Sequence, residues 1–218
     1  MKINIAIDGP SAAGKSTIAK ILAKELNYSH LDTGAMYRCV AYESKRRNIS
    51  SDDESALVKM IETMKISFDS IGNVYINQED VSKEIRKNDI SMLASTVSAH
   101  SGVRKKLVYL QQKMAEDKGY IMDGRDIGTV VLPNAELKIY MVASVKARAD
   151  RRYKEYMDKH ISCDYDEIFR DIEQRDYQDM NRKSSPLRKA DDAIEIDTSD
   201  MTIAEVVETI RKKIPTQI

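Results

Sequence analysis

Between Ile3 and Thr17 the chain reads Ile-Asn-Ile-Ala-Ile-Asp-Gly-Pro-Ser-Ala-Ala-Gly-Lys-Ser-Thr, and no other stretch limits its possible folds so tightly. Gly9, Gly14, Lys15 and Ser16 fill the pattern GxxxxGK[ST]. A β-branched run (Ile3, Ile5, Ile7) precedes the glycines and an amphipathic helical pattern follows them. Strand, glycine loop and helix in that order form a phosphate-binding loop, and a chain that begins this way is committed to an α/β sheet.

The residue types follow from the load. A nucleoside triphosphate brings several negative charges, which backbone N–H groups at a helix N-terminus can hold without flexible side chains. Gly9 and Gly14 let the backbone turn those groups inward, so Gly9, Pro10, Ser11, Ala12, Ala13, Gly14, Lys15, Ser16 and Thr17 are expected to cradle the phosphates of a nucleoside triphosphate. Lys15 is expected between the β- and γ-phosphates, and the Ser16 hydroxyl on Mg²⁺.

At 218 residues the chain suits one α/β domain with a small insertion. Its 35 basic and 35 acidic residues cancel, which argues against a nucleic-acid partner and for small ligands. Cys39 and Cys163 lie far apart without zinc-ligand spacing and read as ordinary helix-region residues in a reducing compartment. There is no charged-then-apolar leader, and no apolar run nears the ~18 residues of a membrane span. The expectation is a soluble, cytoplasmic protein.

Along the chain, Ile18, Ile21, Leu22 and Leu26 give the first helix a buried face, with Asn27 as its stop. Tyr28 to Asp32 reads as a second strand, and Thr33 as the cap of a helix running to about Arg47. Ser51 to Glu54 reads as a capping box for a further helix, carrying Met60 and Met64 as core. The period then changes: Lys65 to Asp69 and Val74 to Asn77 alternate around Gly72-Asn73, an antiparallel hairpin inside a βα chain. Helices carrying Ser95 and Arg104 follow, broken near Ser101-Gly102. Tyr120 to Met122 reads as a third parallel strand and Leu137 to Val142 as a fourth, buried on both faces. Ser144 caps the next helix, Tyr156 to Asp164 reads as an irregular flap, and about Asp166 to Met180 as helix. Ile194 to Asp197 is the last strand; Thr202 with Glu205 opens a closing helix whose core stripe is Ile203, Val206, Val207, Ile210 and Ile214.

Charged residues make up 32% of the chain, so grouping carries the signal. Asp123, Arg125 and Asp126 lie just past a strand end, where open α/β sheets place their ligands. Arg125 offers a planar fork for a phosphate, Asp126 an acceptor for an amino group or sugar hydroxyl, and Asp123 can reach Mg²⁺ through water. Arg175, Asp179 and Arg182 recur at i, i+4 and i+7, either as a solvated ion-pair ladder or as a row facing substrate. Arg148, Arg151 and Arg152 precede the flap, either on the surface or able to swing onto a transferring phosphoryl group. His30, His100 and His160 form no cluster.

These motifs together resemble the bacterial cytidylate kinases, the CMP/dCMP kinase branch of the nucleoside monophosphate kinases. The similarity runs along nearly the whole chain: Ile7 to Ser16, Leu31 to Arg38, Asp123 to Val131 (Asp-Gly-Arg-Asp-Ile-Gly-Thr-Val-Val), and Arg175-Asp176 through Asn181-Arg182 to Pro186-Leu187. The resemblance implies a P-loop NTPase fold with a central five-stranded parallel sheet flanked by helices. It also implies a core at about 1–62 and 104–218, a β-containing nucleotide-binding insert at about 63–103 and a short lid at about 154–166. The implied reaction moves the γ-phosphoryl group of ATP to CMP or dCMP in a monomer. By position, Ser95, Arg104 and Asp126 would read cytosine; Arg38, Arg125 and Arg182 would hold the 5′-phosphate, with Thr33 in the same pocket; Arg175 and Asp179 would contact the sugar. Lys15, Arg125 and Arg182, with Arg148 and Arg152 from the lid side, would carry the catalysis. Thr33 stands where some members have Ser, and Ser16 where some have Gly.

Cytosine presents an amino donor beside two acceptors, which a carboxylate, a serine and an arginine match; uracil would present an oxygen to Asp126 and leave it unpaired. A kinase of the same fold acting on another acceptor, such as shikimate, lacks a reason for the hairpin insert. A GTP switch would need an Asn-Lys-x-Asp motif, which the chain does not contain, and a nucleic-acid ATPase would need a basic-aromatic stripe.

Overall fold

The computed structural model describes residues 2–69 and 72–215. Along the chain come β1 (Ile5–Asp8), α1 (Lys15–Leu26), β2 (Ser29–Asp32), α2 (Thr33–Arg46) and α3 (Glu54–Glu62). A three-stranded set follows, β3 (Ile66–Phe68), β4 (Val74–Ile76) and β5 (Glu79–Asp80), then a 3₁₀ turn at Glu84–Arg86, α4 (Asn88–Val97) and α5 (Ser101–Met114). The remainder is β6 (Tyr120–Gly124), a wide helical turn at Ile127–Val131, β7 (Leu137–Val142), α6 (Val145–Asp158), α7 (Tyr165–Asn181), β8 (Ile194–Asp197) and α8 (Ile203–Arg211).

The main sheet has the order β2-β6-β1-β7-β8. Parallel pairing sets Ile5 opposite both Ile121 and Leu137, and Ile139 opposite Ile194. β1 is therefore flanked by two strands from much later in the chain, the arrangement whose strand ends open a ligand crevice. The apolar run of β7, broken only by Lys138, fits a strand covered on both faces: Leu137, Ile139 and Met141 join Ile5, Ile7, Leu22 and Val207 in one core.

Two compact units share the chain, one of Met1–Tyr28 with Lys118–Ile218, the other Ser29–Asp117. In the first, the chain departs and returns at one residue: Ile3 donates its N–H to the Tyr28 hydroxyl at 3.1 Å and accepts from the Gly119 N–H at 3.0 Å. The second holds α2 to α5 and the antiparallel sheet β3-β4-β5, with Ile66 opposite Ile76 and Phe68 opposite Val74. The hairpin expected from the change of period is present; residues 70 and 71 near its tip lie outside the described residues.

Several local expectations are corrected. Asp32, not Thr33, caps α2, accepting the Ala35 N–H at 2.9 Å; of two adjacent capping residues, the carboxylate takes the amide. Asp53 rather than Ser51 caps α3, because the Glu54 carboxylate is engaged by the Gly102 N–H instead of reaching back. Tyr156 to Asp158 continue α6, so the irregular stretch is shorter than read, and Asp164 caps α7. Ile203 is exposed, leaving Val206, Val207 and Ile210 as the buried stripe of α8. Asn27 stops α1 in the left-handed conformation (φ 54°), and the Ser144 cap and the Thr202–Glu205 capping box form as expected.

Candidate active site

In the first unit the residues following β1 form a tight turn. Gly9 has φ 149°, and a Cβ there would overlap the Met141 carbonyl of the neighbouring strand, so the turn admits only glycine. Ala12 (φ 59°) and Gly14 (φ 87°) are left-handed, and Gly14 opens α1. The Lys15 ammonium donates to the Pro10 carbonyl at 2.6 Å, closing the loop on itself. Burial, then repulsion from Arg125, pushes the Lys15 pKa down to about 7 against the pull of Asp123, Asp8 and Asp179. A bound polyphosphate would reverse that balance.

The Ser16 hydroxyl donates to Asp123 Oδ2 at 2.6 Å, across the register that sets Ile7 opposite Asp123. Two adjacent hard oxygens at a strand end suit Mg²⁺, which takes one or two protein oxygens and completes its shell with water and phosphate. No cluster of three or more His, Cys, Asp or Glu side chains able to hold a metal occurs among the described residues.

Past β6 the expected acceptor-side residues converge. Arg125 Nε donates to Asp179 Oδ2 at 2.6 Å; Arg182 approaches Asp179 Oδ1 at 3.7 Å and Asp126 Oδ1 at 3.8 Å. Burial works against the charges, but the neighbouring arginines hold the Asp179 carboxyl below the usual carboxylate range, and Asp179, Asp176 and Asp123 keep Arg125 above its ordinary value. Of the helical row, Asp179 and Arg182 thus face this network rather than solvent, with Arg182 just past the end of α7 and its Nε on the Ser185 carbonyl at 2.7 Å; Arg175 is half-buried, and its charge also lowers the Asp179 pKa.

The lid-side arginines separate. Arg148 is buried, with bonds to the carbonyls of Ala143 (2.9 Å) and Ser11 (3.2 Å) and an ion pair to Asp176 (2.6 Å), so it braces the glycine loop from beneath and is not free to swing. Arg151 turns to the Thr198 and Ser199 carbonyls. Arg152 is more open, 5.7 Å over the Tyr156 ring. Between α6 and α7, Ala149, Ile168 and Ile172 pack with Tyr153, Tyr165 and Phe169, and Ala12 of the glycine loop reaches this cluster.

In the second unit, Arg38 donates to Asp32 Oδ2 at 2.7 Å over Gly34, where a Cβ would crowd both side chains. Arg38 and a helix N-terminus outweigh burial and hold the Asp32 carboxyl down at about 2. Buried Arg104 lies 5.3 Å over the Tyr37 ring, its NH1 3.3 Å from the Ser98 carbonyl. Ser95 is half-buried on α4, its carbonyl accepting the Ser98 hydroxyl. Thr33 is buried in the first turn of α2. Sequence reasoning missed Asp32, Tyr37, Asp176 and Asp8 as partners; only their neighbourhood to motif residues marked them.

A glycine cradle after the central strand, a lysine folded into it and a serine hydroxyl bonded to a strand-end carboxylate mark the P-loop NTPase fold. Solved structures agree on the fold: an uncharacterised protein from Eubacterium ventriosum (TM-score 0.54, 12% identity, all of both chains) and a shikimate kinase from Bacteroides thetaiotaomicron (TM-score 0.50, 11%, 98% of each). Sequence relatives are far closer. The cytidylate kinase of Streptococcus sanguinis is 50% identical over 97% of this chain and 96% of its own. That of Listeria monocytogenes serotype 4a is 50% identical over 96% and 94%. A family model described as cytidylate kinase matches residues 5–216, and the chain belongs to that family.

Proposed function

We propose that this chain transfers the γ-phosphoryl group of ATP to CMP or dCMP, releasing ADP and CDP or dCDP, as a cytoplasmic monomer. Among the described residues no helix is long and apolar enough to cross a membrane. The observation that carries the reading is the Arg125–Asp179–Arg182–Asp126 network, in a chain half-identical to named cytidylate kinases along almost its full length.

Residues 9–17 hold the ATP phosphates, with Lys15 exchanging the Pro10 carbonyl for phosphate oxygens. Ser16, and Asp123 through water, hold Mg²⁺, which neutralises charge on the β- and γ-phosphates when bound. Arg38, Arg125 and Arg182, with Thr33, take the 5′-phosphate of the acceptor; Ser95, Arg104 and Asp126 read cytosine; Arg175 and Asp179 contact the sugar. The acceptor phosphate is already anionic near neutral pH, so no general base is required; positioning and charge neutralisation carry the rate. Arg152 reaches the transferring group from the helix that leads into the lid at about 154–166, while Arg148 acts through the Ser11 carbonyl. The insert that encloses the acceptor lies at about 63–103, within the second unit.

The test is ADP release from ATP and Mg²⁺ with CMP, dCMP, UMP, AMP and shikimate offered separately. Turnover that requires CMP or dCMP and is weak with the rest is expected. Turnover with another acceptor would void the cytosine roles, and acceptor-independent hydrolysis would replace the transfer reaction.

A further inference from the structure

Asp8 has no part in the binding set above. It ends β1, directly before Gly9, and is 4% exposed. Both carboxylate oxygens are used: Oδ1 accepts the Ile127 N–H at 2.8 Å and Oδ2 the Gly128 N–H at 2.7 Å. The turn those amides open closes on Asp126, whose carbonyl accepts from Val130 (2.9 Å) and Val131 (3.2 Å). On its other side Asp126 follows β6 by two residues, and β6 is held by the register Asp8 opposite Gly124. Asp126 is thus bracketed between a strand pairing and a turn, and Asp8 takes part in both.

A buried carboxylate is costly to retain. Burial is the main reason its pKa is pushed up to about 6, nearby Asp126 adds to it, and the two amides with Lys15 only partly offset the rise. An apolar residue would avoid that cost but leave two buried amides without acceptors. The turn also has little freedom to shift: a Cβ on Gly128 would lie 3.4 Å from Asp8 Oδ2 and 3.2 Å from the Lys138 side chain.

We propose that Asp8 is a positioning residue for base recognition: it anchors the Asp126 turn to the strand that carries the phosphate cradle, so the choice of acceptor base depends on a residue that touches neither base nor phosphate. The proposal rests on the reading of Asp126 as the cytosine-reading carboxylate.

Asp8→Asn keeps one acceptor and turns an NH₂ toward the other amide, so the turn shifts while the volume is conserved. The CMP over UMP ratio of kcat/KM is expected to fall about tenfold while the ATP dissociation constant changes less than about threefold. In an Asp126→Asn background the same change should lower the ratio no further, because the two residues act in series. Gly128→Ala, which crowds the turn against Lys138 while leaving the Asp8 carboxylate in place, should lower the ratio in the same direction. If Asp126→Asn alone leaves the ratio unchanged, the cytosine reading falls and the proposal with it. Should Asp126→Asn collapse the ratio while Asp8→Asn and a folded Gly128→Ala do not, the positioning role alone is overturned. Additive losses in the double variant, or equal losses toward ATP and CMP, overturn it as well.

Discussion

The two units solve the handling of charge differently. Around the glycine loop and β6, Ser16 is bonded to Asp123, while Arg125, Asp179 and Arg182 share one network, and two of the unit's buried groups, Asp8 and Lys15, sit with pKa values displaced to about 6 and about 7. In Ser29–Asp117 the cationic residues assigned to the acceptor are held by separate partners, Arg38 by Asp32 and Arg104 by the Tyr37 ring and the Ser98 carbonyl, while most other ion pairs, such as Lys45–Asp89 and Lys106–Glu62, are exposed. A shared network resists local change and fails as a whole; separate contacts are adjusted one residue at a time. The reaction chemistry proposed above draws on the first arrangement alone, whereas the proposed acceptor roles fall to residues of both, Asp126 and Arg182 in the first and Arg38 and Arg104 in the second.

The sharpest way to break that contrast is Lys15→Ala, expected to lower kcat by about 10³-fold with little change in CMP affinity, followed by steady-state assay. A loss confined to KM for CMP would erase the division of labour. Gly9→Ala is next: the overlap with the Met141 carbonyl should cost about 3 kcal/mol or more, read as a lowered denaturation midpoint. Gly34→Ala in the other unit meets only the ends of Asp32 and Arg38, and should cost about 1 kcal/mol.

Arg104→Ala should raise KM for CMP about tenfold and leave ATP binding within about twofold, since its partners Tyr37 and Ser98 lie in its own unit. The smallest effect is a pH dependence. Lys15 is depressed to about 7 in the empty loop and regains charge beside phosphate, so ATP binding takes up a proton. Below pH 7 the lysine is already charged and affinity is flat; above it, affinity falls by up to about tenfold per unit. Titration calorimetry in buffers of different ionisation heat checks the sign, and Lys15→Arg should abolish the dependence.

What could be read from the chain divides along physical lines. The glycine loop, the Asp123 to Val131 string and the hairpin are local patterns with fixed spacing, and each appears where the spacing puts it. Caps were harder: where Asp32 precedes Thr33, or Asp53 lies in a run of polar residues, several side chains satisfy the pattern and only the packed turn chooses. Arg148 and Asp8 were illegible for a deeper reason. A charged residue in a motif-rich chain looks like chemistry or surface, whereas here their atoms reach Ser11 and Gly128, 137 and 120 residues away. Ile203 shows the opposite failure, an apolar residue at helical spacing that lies beyond the edge of the core.

The double hydrogen bond at Ile3 has a consequence for how such a chain can be rebuilt. Tyr28 and Gly119 both meet that one residue, so everything between them is a single excursion hung from a closed doorway. Closing a doorway costs almost the same for a short loop as for a long one, because the penalty grows only with the logarithm of length. The excursion is therefore a cassette: it can be lengthened, trimmed or exchanged, and the central strand and the glycine loop that follows it need not be re-threaded.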